Sequence, residues 1–182
     1  MAAQAQREPD DARLAQVRLL ALDVDGVLTD GRISFGAEGP AGDRPAFDVQ
    51  DGIALRWIQQ AGVTVAWISG RGSPAVTFRA RELGVAEVHL RVESKRAALL
   101  EIQERLGISV EQTAAMGDDL PDLGLRARSG FFAAPSNARP EMLERADLVS
   151  SSSGGRGAVR DLCERILRAQ GRWQSIVDAA GR

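Results

Sequence analysis

The sequence predicts an α/β fold in which a parallel sheet carries helices on both faces. Short apolar runs, typical of buried strands, alternate along the chain with segments of helical spacing, and glycines such as Gly84 and Gly107 close several of those segments. Elements that alternate in this way are typically joined by right-handed crossovers into a parallel sheet. A chain of 182 residues has the length of one domain, which we expect at residues 17–170.

The first half of the chain predicts two strands, one helix and one irregular segment. Residues 18–24 form an apolar run that predicts the first buried strand, and residues 63–69 predict the second. Between them, a Gly- and Pro-rich segment has β-like pieces at 33–35 and 46–49, which predict a projecting β-hairpin flap. Residues 51–62 then show helical spacing and end in glycine.

The second half repeats the alternation of strands and helices. Helices are predicted at 73–84, 94–107, 120–128, 138–145 and 158–169, and strands at 86–90, 113–117, 130–133 and 147–149. The remaining segments have the composition of tails and linkers. We expect residues 1–16 to be a disordered N-terminal tail, residues 150–157 to be flexible and residues 171–182 to form a C-terminal tail.

The composition argues against several classes of function. The net charge is -2 and no basic stripe is present, so we expect no nucleic-acid partner. Cys163 is the single cysteine, which precludes an intrachain disulfide and suits a reducing compartment. The N-terminus lacks the apolar core of a signal peptide, and no apolar stretch reaches membrane-spanning length. We therefore expect no membrane partner and a cytoplasmic location.

Acidic and hydroxyl residues stand directly after the predicted strands. In an open α/β sheet the ligand site lies outside the carboxyl ends of the strands, so these residues are expected to meet. The residues concerned are Asp23 and Asp25 after the first strand, Ser69, Gly70 and Arg71 after the second, Lys95 at the start of the helix after the third, and Asp118, Asp119 and Asp122 after the fourth.

Five carboxylates at one edge of a sheet would repel one another unless a cation lay among them. Mg²⁺ is the natural candidate, because it prefers carboxylate, backbone carbonyl, water and phosphate oxygens. We expect Asp23 and Asp118 to be its ligands. The donors expected for a phosphate are the Ser69 hydroxyl, Lys95 and backbone N–H groups near Gly26 and Gly70.

The same residues predict a reaction at phosphorus. Asp23, at the strand end, is placed to attack phosphorus and divide hydrolysis into two easier steps. Asp25 could protonate the leaving alkoxide and then deprotonate the attacking water. Lys95 is the single lysine beside 22 arginines, which suggests a site that requires a compact ammonium. The alternative is a chance survivor on a solvated helix face.

Four motifs resemble the haloacid dehalogenase superfamily of phosphatases, with its Rossmann-like sheet: DVDGVLTDG at 23–31, SGR at 69–71, Lys95, and GDDLPD at 117–122. Three more segments resemble the 3-deoxy-D-manno-octulosonate 8-phosphate (KDO 8-phosphate) phosphatases: FDVQDG at 47–52, RARELG at 79–84 and GGRGAVRD at 154–161. This resemblance implies a site without a cap domain, which a β-hairpin and the neighbouring subunits of a homotetramer cover instead.

The resemblance also implies roles for individual residues. Asp23 would be the nucleophile and Asp25 the acid and base. Mg²⁺ would be bound by Asp23, the Asp25 carbonyl and Asp118, with Asp119 and Asp122 around it, while Ser69 and Lys95 would hold the phosphate. The segment HLRVESK at 89–95 lacks the glycine and the aspartate that precede the lysine in that family.

Two other functions stay open at this point. Close relatives act on sialic-acid-type 9-phosphates, but Arg71 and Arg156 favour the octulosonate, whose carboxylate suits a bidentate guanidinium. A receiver-type phosphoacceptor domain also combines acidic residues, Mg²⁺, a hydroxyl and a lysine. Receivers begin with an adjacent acidic pair, whereas here the DxD pattern comes first and the DD pair last. The sequence therefore favours a phosphatase of a small phosphorylated sugar acid.

Overall fold

The computed structural model describes residues 7–37, 39 and 43–181, with side chains from residue 10 onward. Its helices are α1 (Arg7–Ala15), α2 (Val49–Gln60), α3 (Pro74–Leu83), α4 (Lys95–Leu106), α5 (Leu123–Arg126), α6 (Pro140–Leu143), α7 (Ala158–Ala169) and α8 (Trp173–Ala180), with a 3₁₀ turn at Leu120–Asp122. Its strands are β1 (Leu19–Leu22), β2 (Thr64–Ser69), β3 (Glu87–Leu90), β4 (Thr113–Met116), β5 (Phe131–Ala134) and β6 (Leu148–Val149).

The strands form one six-stranded parallel sheet in the order β3-β2-β1-β4-β5-β6. Leu22, the last residue of β1, pairs with Trp67 on β2 and with Met116 on β4. The residues that follow these three strands therefore meet at one edge, and the predicted parallel sheet is confirmed.

Helices cover both faces of the sheet. Helices α1, α2, α3 and α7 pack on one face around Trp67, and α4, α5 and α6 pack on the other around Phe132. Both aromatic side chains are completely buried. Because both faces are covered, the central strands β1 and β4 are buried along their whole length and apolar except at Thr113, as expected for a parallel sheet.

Capping residues set where the helix after β3 begins and where two helices end. The Ser94 hydroxyl accepts a hydrogen bond from Ala97 N, so that Lys95 is the first helical residue of α4. Gly84 and Gly107 end α3 and α4 in the left-handed conformation, at φ of 73° and 62°. The sequence predicted both helix ends and the placement of Lys95.

The N-terminal tail is ordered where the structure describes it, contrary to the prediction of disorder over residues 1–16. Helix α1 buries Leu14 completely in the core. Arg13 Nη1 lies 3.1 Å from Asp147 Oδ1, and its guanidinium lies 5.1 Å from the ring centre of Phe131. This ion pair and the buried leucine dock α1 on the domain. Residues 1–6 lie outside the described residues.

The predicted β-hairpin is only partly present. In the described part of the segment, Gly36 and Gly39 form an isolated antiparallel bridge, and Arg44 N donates to Ser34 O at 3.1 Å. Residues 46–49 were predicted as a strand, but they are not one, because the Asp48 carboxylate accepts from Gln50 N and begins α2 there. Residues 38 and 40–42 lie outside the described residues.

The two C-terminal segments are also more regular than predicted. Within residues 171–182, helix α8 brings the Trp173 ring to 5.7 Å from Trp57. Residues 150–157 were expected to be flexible, but Ser150 donates to the Asp161 carboxylate at 2.5 Å and Gly154 N donates to Asn137 Oδ1 at 2.8 Å. Specific acceptors therefore order this segment. Residue 182 lies outside the described residues.

Among the helices that the structure describes, none has both the length and the apolar character that a membrane span requires.

Candidate active site

A cavity of about 370 Å³ opens at the carboxyl ends of β1, β2 and β4. Its walls come from the segments that follow these strands and from the start of α4. The lining residues are Asp23, Asp25, Gly31, Ile33, Ser69, Gly70, Arg71, Lys95, Asp118, Asp119, Pro121 and Asp122. The structure therefore brings together all of the predicted site residues except Gly26 and Arg156.

Lys95 lies between two buried carboxylates at the bottom of the cavity. Its ammonium donates to Asp23 Oδ1 at 2.6 Å and to Asp122 Oδ1 at 2.5 Å. The Lys95 side chain is only 9% exposed, and the Asp23 and Asp122 side chains are 7% and 1% exposed. A compact cation is thus held by two anions away from solvent, which contradicts the alternative of a lysine on a solvated helix face.

Asp122 also shapes the turn that carries Asp118. Its Oδ2 accepts from Asp118 N at 3.0 Å and from Asp119 N at 3.2 Å. A Cβ at Gly117 would lie 2.3 Å from the Asp122 Cβ, so only glycine permits this close approach. Both Asp122 oxygens are therefore engaged in holding Lys95 and the turn.

Asp118 has an oxygen that is free to bind a cation. Its Oδ1 is buried and has no hydrogen-bond partner among the described residues. Asp23, Asp118 and Asp122 each offer an oxygen, and these atoms lie within 4.8 Å of one another. Because both oxygens of Asp122 are engaged, one by Lys95 and the other by the turn, Asp23 and Asp118 are the carboxylates of this group that remain for Mg²⁺. This set of hard oxygen donors fits that ion.

Two carboxyl groups of the cavity, those of Asp23 and Asp118, ionise less readily than a free aspartic acid. Burial and the neighbouring Asp122 charge raise the pKa of Asp23 well above its usual value, against the opposing charge of Lys95. Burial and Asp122 likewise raise the pKa of Asp118 to about 6. Burial lowers the pKa of Lys95, but the charges of Asp23 and Asp122 outweigh it and raise the pKa overall. A divalent cation would favour the ionised acids.

Ser69 and Arg71 contact the second aspartate of the DxD pattern. Ser69 Oγ donates to Asp25 Oδ2 at 3.3 Å, and Arg71 Nη1 donates to Asp25 Oδ1 at 3.2 Å. The other terminal nitrogen of Arg71 donates to Asp43 Oδ2, also at 3.2 Å. Both oxygens of Asp25 are thus oriented by the end of β2, at Ser69, and by Arg71 two residues later.

Comparison with known proteins identifies the family. Residues 60–161, more than half of the chain, match the profile of the haloacid dehalogenase-like hydrolases. The chain belongs to this family. It is also 39% identical over 161 residues to the 3-deoxy-D-manno-octulosonate 8-phosphate phosphatase KdsC of Escherichia coli (strain K12), covering 88% of this chain and 85% of that one.

Solved structures of the family agree with this assignment. The KDO 8-phosphate phosphatase from Moraxella catarrhalis, in complex with magnesium ion, phosphate ion and a KDO molecule, has a TM-score of 0.91 at 36% identity over 94% of this chain and 98% of that one. The cobalt-bound enzyme from Haemophilus influenzae has a TM-score of 0.85 at 35% identity, over 88% and 93%. Within the haloacid dehalogenase-like hydrolases, the chain belongs to the KDO 8-phosphate phosphatase family.

Three predicted residues of this hydrolase make contacts that the sequence did not indicate. N–H groups near Gly26 were expected to face a phosphate, and the Gly26 N–H itself donates to Thr29 Oγ1 at 3.3 Å. Gly26 instead permits close packing, because a Cβ there would lie 2.2 Å from Asp118 Oδ2 and its φ is 94°. Asp119 caps the 3₁₀ turn through Leu120 N. Arg156 is exposed and lines a separate cavity beside Asp48, so its own chain does not bring it to the site.

Asp43, whose buried carboxylate binds Arg71, was not predicted from the sequence as a site residue. Asp43 lies in the irregular segment between β1 and α2, and its side chain is 7% exposed. The GAEGPAGD sequence around it is typical of a turn and gives no signal of a contact with the residues after β2. An acidic residue in such a segment could be linked to Arg71 only through the tertiary structure.

The loop before Lys95 contains a left-handed residue that is not glycine. Arg91 has a φ of 59°, the only positive φ at a non-glycine residue in the described chain. Its N–H donates to Arg71 O at 3.1 Å, and Val92 N donates to Ser69 O at 3.2 Å. The loop therefore keeps the left-handed turn that joins it to the residues after β2. A left-handed arginine costs about 1–2 kcal/mol.

Proposed function

We propose that this protein is a Mg²⁺-dependent phosphatase that hydrolyses KDO 8-phosphate to KDO and phosphate through a phospho-aspartyl intermediate on Asp23. The observation that carries the proposal is the buried Asp23, bonded to Lys95 at 2.6 Å and grouped with Asp118, at the base of an open cavity. The relatives reported above, which are phosphatases of this sugar acid, support the substrate.

In the first half-reaction, an Asp23 carboxylate oxygen attacks phosphorus as the bond from phosphorus to the sugar oxygen breaks. Asp25, oriented by Ser69 and Arg71, gives its proton to the leaving alkoxide. In the second half-reaction, Asp25 takes a proton from water, which attacks phosphorus, and Asp23 leaves as a carboxylate. Lys95 offsets the negative charge on Asp23 and on the phosphoryl oxygens throughout.

Mg²⁺ would be held by Asp23, Asp118 and the backbone carbonyl of Asp25, with Asp119 and Asp122 around it. When bound, it supplies charge neutralisation for the phosphoryl oxygens. The buried, unpartnered Oδ1 of Asp118 supports this role. Ser69 and Gly70 line the same cavity and would donate to the phosphate.

Recognition of the sugar acid would require a cation for its carboxylate. Arg71 lines the cavity, but its two terminal nitrogens contact Asp25 and Asp43, so bidentate binding of the sugar carboxylate would require at least one of these contacts to be exchanged. Arg156 lies outside the cavity of its own chain, so its role as a ligand would require a neighbouring subunit. We therefore propose a homotetramer in the cytoplasm, in which neighbouring copies complete the site, serving lipopolysaccharide precursor synthesis. Within residues 7–37, 39 and 43–181 no separate domain covers the cavity, which supports such completion.

The proposal is tested by phosphate release from a panel of 8- and 9-phosphorylated keto sugar acids and simple phosphomonoesters. We expect KDO 8-phosphate to be preferred about 100-fold in kcat/KM, which corresponds to about 2.7 kcal/mol. A preference for a 9-phosphate would move the assignment to the sialic-acid-type enzymes. A single phosphorylation event without steady turnover would instead indicate a receiver-like phosphoacceptor.

A further inference from the structure

The segment of residues 150–157 packs against the turn that follows β1. Gly155 N donates to Val27 O at 2.9 Å. A Cβ at Gly154 would lie 1.8 Å from Gly26 O, and one at Gly155 would lie 2.5 Å from the carbonyl carbon of Thr29. The two backbones thus touch, and glycine is required at 154 and 155 for this close approach. The segment supports the turn that begins with Asp25.

Asp51 holds the far end of this segment. It lies in the first turn of α2, is 1% exposed, and accepts from Gly157 N at 3.3 Å and from Arg160 N at 2.8 Å, with one carboxylate oxygen for each. These N–H groups belong to the residue before α7 and to the first turn of α7, where a helix leaves its donors without internal partners. The residue before α7 is Gly157, which offers no side-chain cap. The Asp51 carboxylate, which belongs to α2, therefore caps the N-terminus of α7.

We infer that Asp51 is a positioning residue for the reaction: by holding residues 154–157 against the turn after β1, it fixes Asp25 at the cavity. The inference rests on the proposed function only in that Asp25 is the acid and base. Asp51 itself lines no part of the catalytic cavity.

A carboxylate at position 51 is difficult to replace even by its amide. Both oxygens accept from backbone donors, so an asparagine would turn its NH₂ group toward one of these N–H groups. One hydrogen bond to the first turn of α7 would then be lost. Burial also raises the pKa of Asp51 to about 6, although the two N–H donors lower it. The carboxylate is therefore placed here despite the cost of its burial.

The test compares Asp51→Asn with Asp48→Asn, a matched change at the start of the same helix. Asp48 caps α2 through Gln50 N at 2.6 Å, a role that asparagine fills equally well. Two rates are measured for each variant. They are kcat on KDO 8-phosphate, whose alkoxide leaving group needs a proton, and the first-turnover release of nitrophenolate from 4-nitrophenyl phosphate, which leaves without one.

For Asp51→Asn we expect kcat on KDO 8-phosphate to fall about tenfold or more, with KM changed less than about threefold, because a misplaced acid loses part of its roughly 100-fold or larger contribution. The nitrophenolate release in the first turnover stays near the wild-type rate. Asp48→Asn stays near wild type on both substrates. An equal loss on both rates, or no loss on either, overturns the inference.

Gly154→Ala displaces the same segment from its other end. This variant tests the positioning role if Asp51→Asn does not fold. Its Cβ meets Gly26 O, so we expect the same split between the two rates. An unchanged rate on KDO 8-phosphate would overturn the inference. The proposed substrate is tested separately by the wild type. If the wild type fails on KDO 8-phosphate but the split appears with a simple alkyl phosphate, the substrate is wrong and the positioning role stands.

Discussion

Two sites with buried carboxylates lie near the turn after β1, and their burial is compensated in different ways. At the cavity, Lys95 is shared between Asp23 and Asp122, and Asp118 Oδ1 has no partner among the described residues. At Asp51, both oxygens accept from backbone N–H groups. The first site is incomplete until a cation binds, whereas the second is complete within the chain. A buried acid with an open coordination position indicates ligand binding, and one with filled positions indicates chain docking.

Removal of metal should separate the two sites most strongly. Chelation should abolish turnover, by more than about 1000-fold, because the cation that Asp23 and Asp118 would hold is needed to position the phosphate and neutralise its oxygens. Added Mg²⁺ should restore turnover and raise the thermal midpoint. Asp118→Asn should lose the Mg²⁺-dependent rise, while Asp51→Asn should keep it. Full turnover in excess chelator would contradict the assignment of the cavity as a metal site.

The pH dependence of stability should single out Asp51. Its pKa rises from 3.8 to about 6 in the folded protein, so folding favours the protonated acid. The contribution of protonated Asp51 to the free energy of unfolding is fully present below about pH 4. It is lost as the pH rises through 6, and the loss is roughly 3 kcal/mol at most. Chemical denaturation between pH 4 and 7 should therefore show a smaller decline for Asp51→Asn than for the wild type. Asp48→Asn, as the control, should decline in parallel with the wild type. If Asp51→Asn also declines in parallel with the wild type, Asp51 is not the titrating group.

Lys95→Arg tests whether the cavity requires a compact ammonium. The lysine lies 2.6 and 2.5 Å from two carboxylates and is 9% exposed, so a planar guanidinium has no room in the same place. We expect kcat/KM to fall roughly 10- to 150-fold, as for the loss of one charged hydrogen bond of about 1.5–3 kcal/mol. The exposed neighbour provides a control, since Arg96→Lys should leave the rate unchanged. Near wild-type kcat/KM for Lys95→Arg would contradict the role of Lys95 at Asp23.

The sequence predicted the cavity better than it predicted the segments around it. Parallel strands place their carboxyl ends at one edge, so Asp23, Ser69 and Asp118 could be brought together from strand positions alone. Residues 150–157 have the composition of a linker, but their contacts include Asp51, about a hundred positions earlier in the chain. No local pattern contains such a contact.

Two further predictions were wrong, one because a helix cap competes locally with the strand and the other because tertiary contacts order the segment. Residues 46–49 have β-like composition, but the Asp48 cap begins α2 and takes Val49 into the helix. Helix α1 contributes few apolar residues, and its charged composition resembles a disordered tail. It is docked by Leu14 and by the ion pair of Arg13 with Asp147, which the sequence could not reveal.

The central claim, that Asp23 carries the phosphoryl group during turnover, is tested most directly by trapping the intermediate. Asp25→Asn should slow its hydrolysis, because the base that activates water is lost, so the phospho-enzyme should accumulate with 4-nitrophenyl phosphate. Acid quenching and borohydride reduction would then convert the phosphorylated aspartate to homoserine, which peptide mass spectrometry locates. We predict homoserine at position 23, and none in Asp23→Asn. Homoserine at another position, or none in a protein that releases nitrophenolate, would contradict the account.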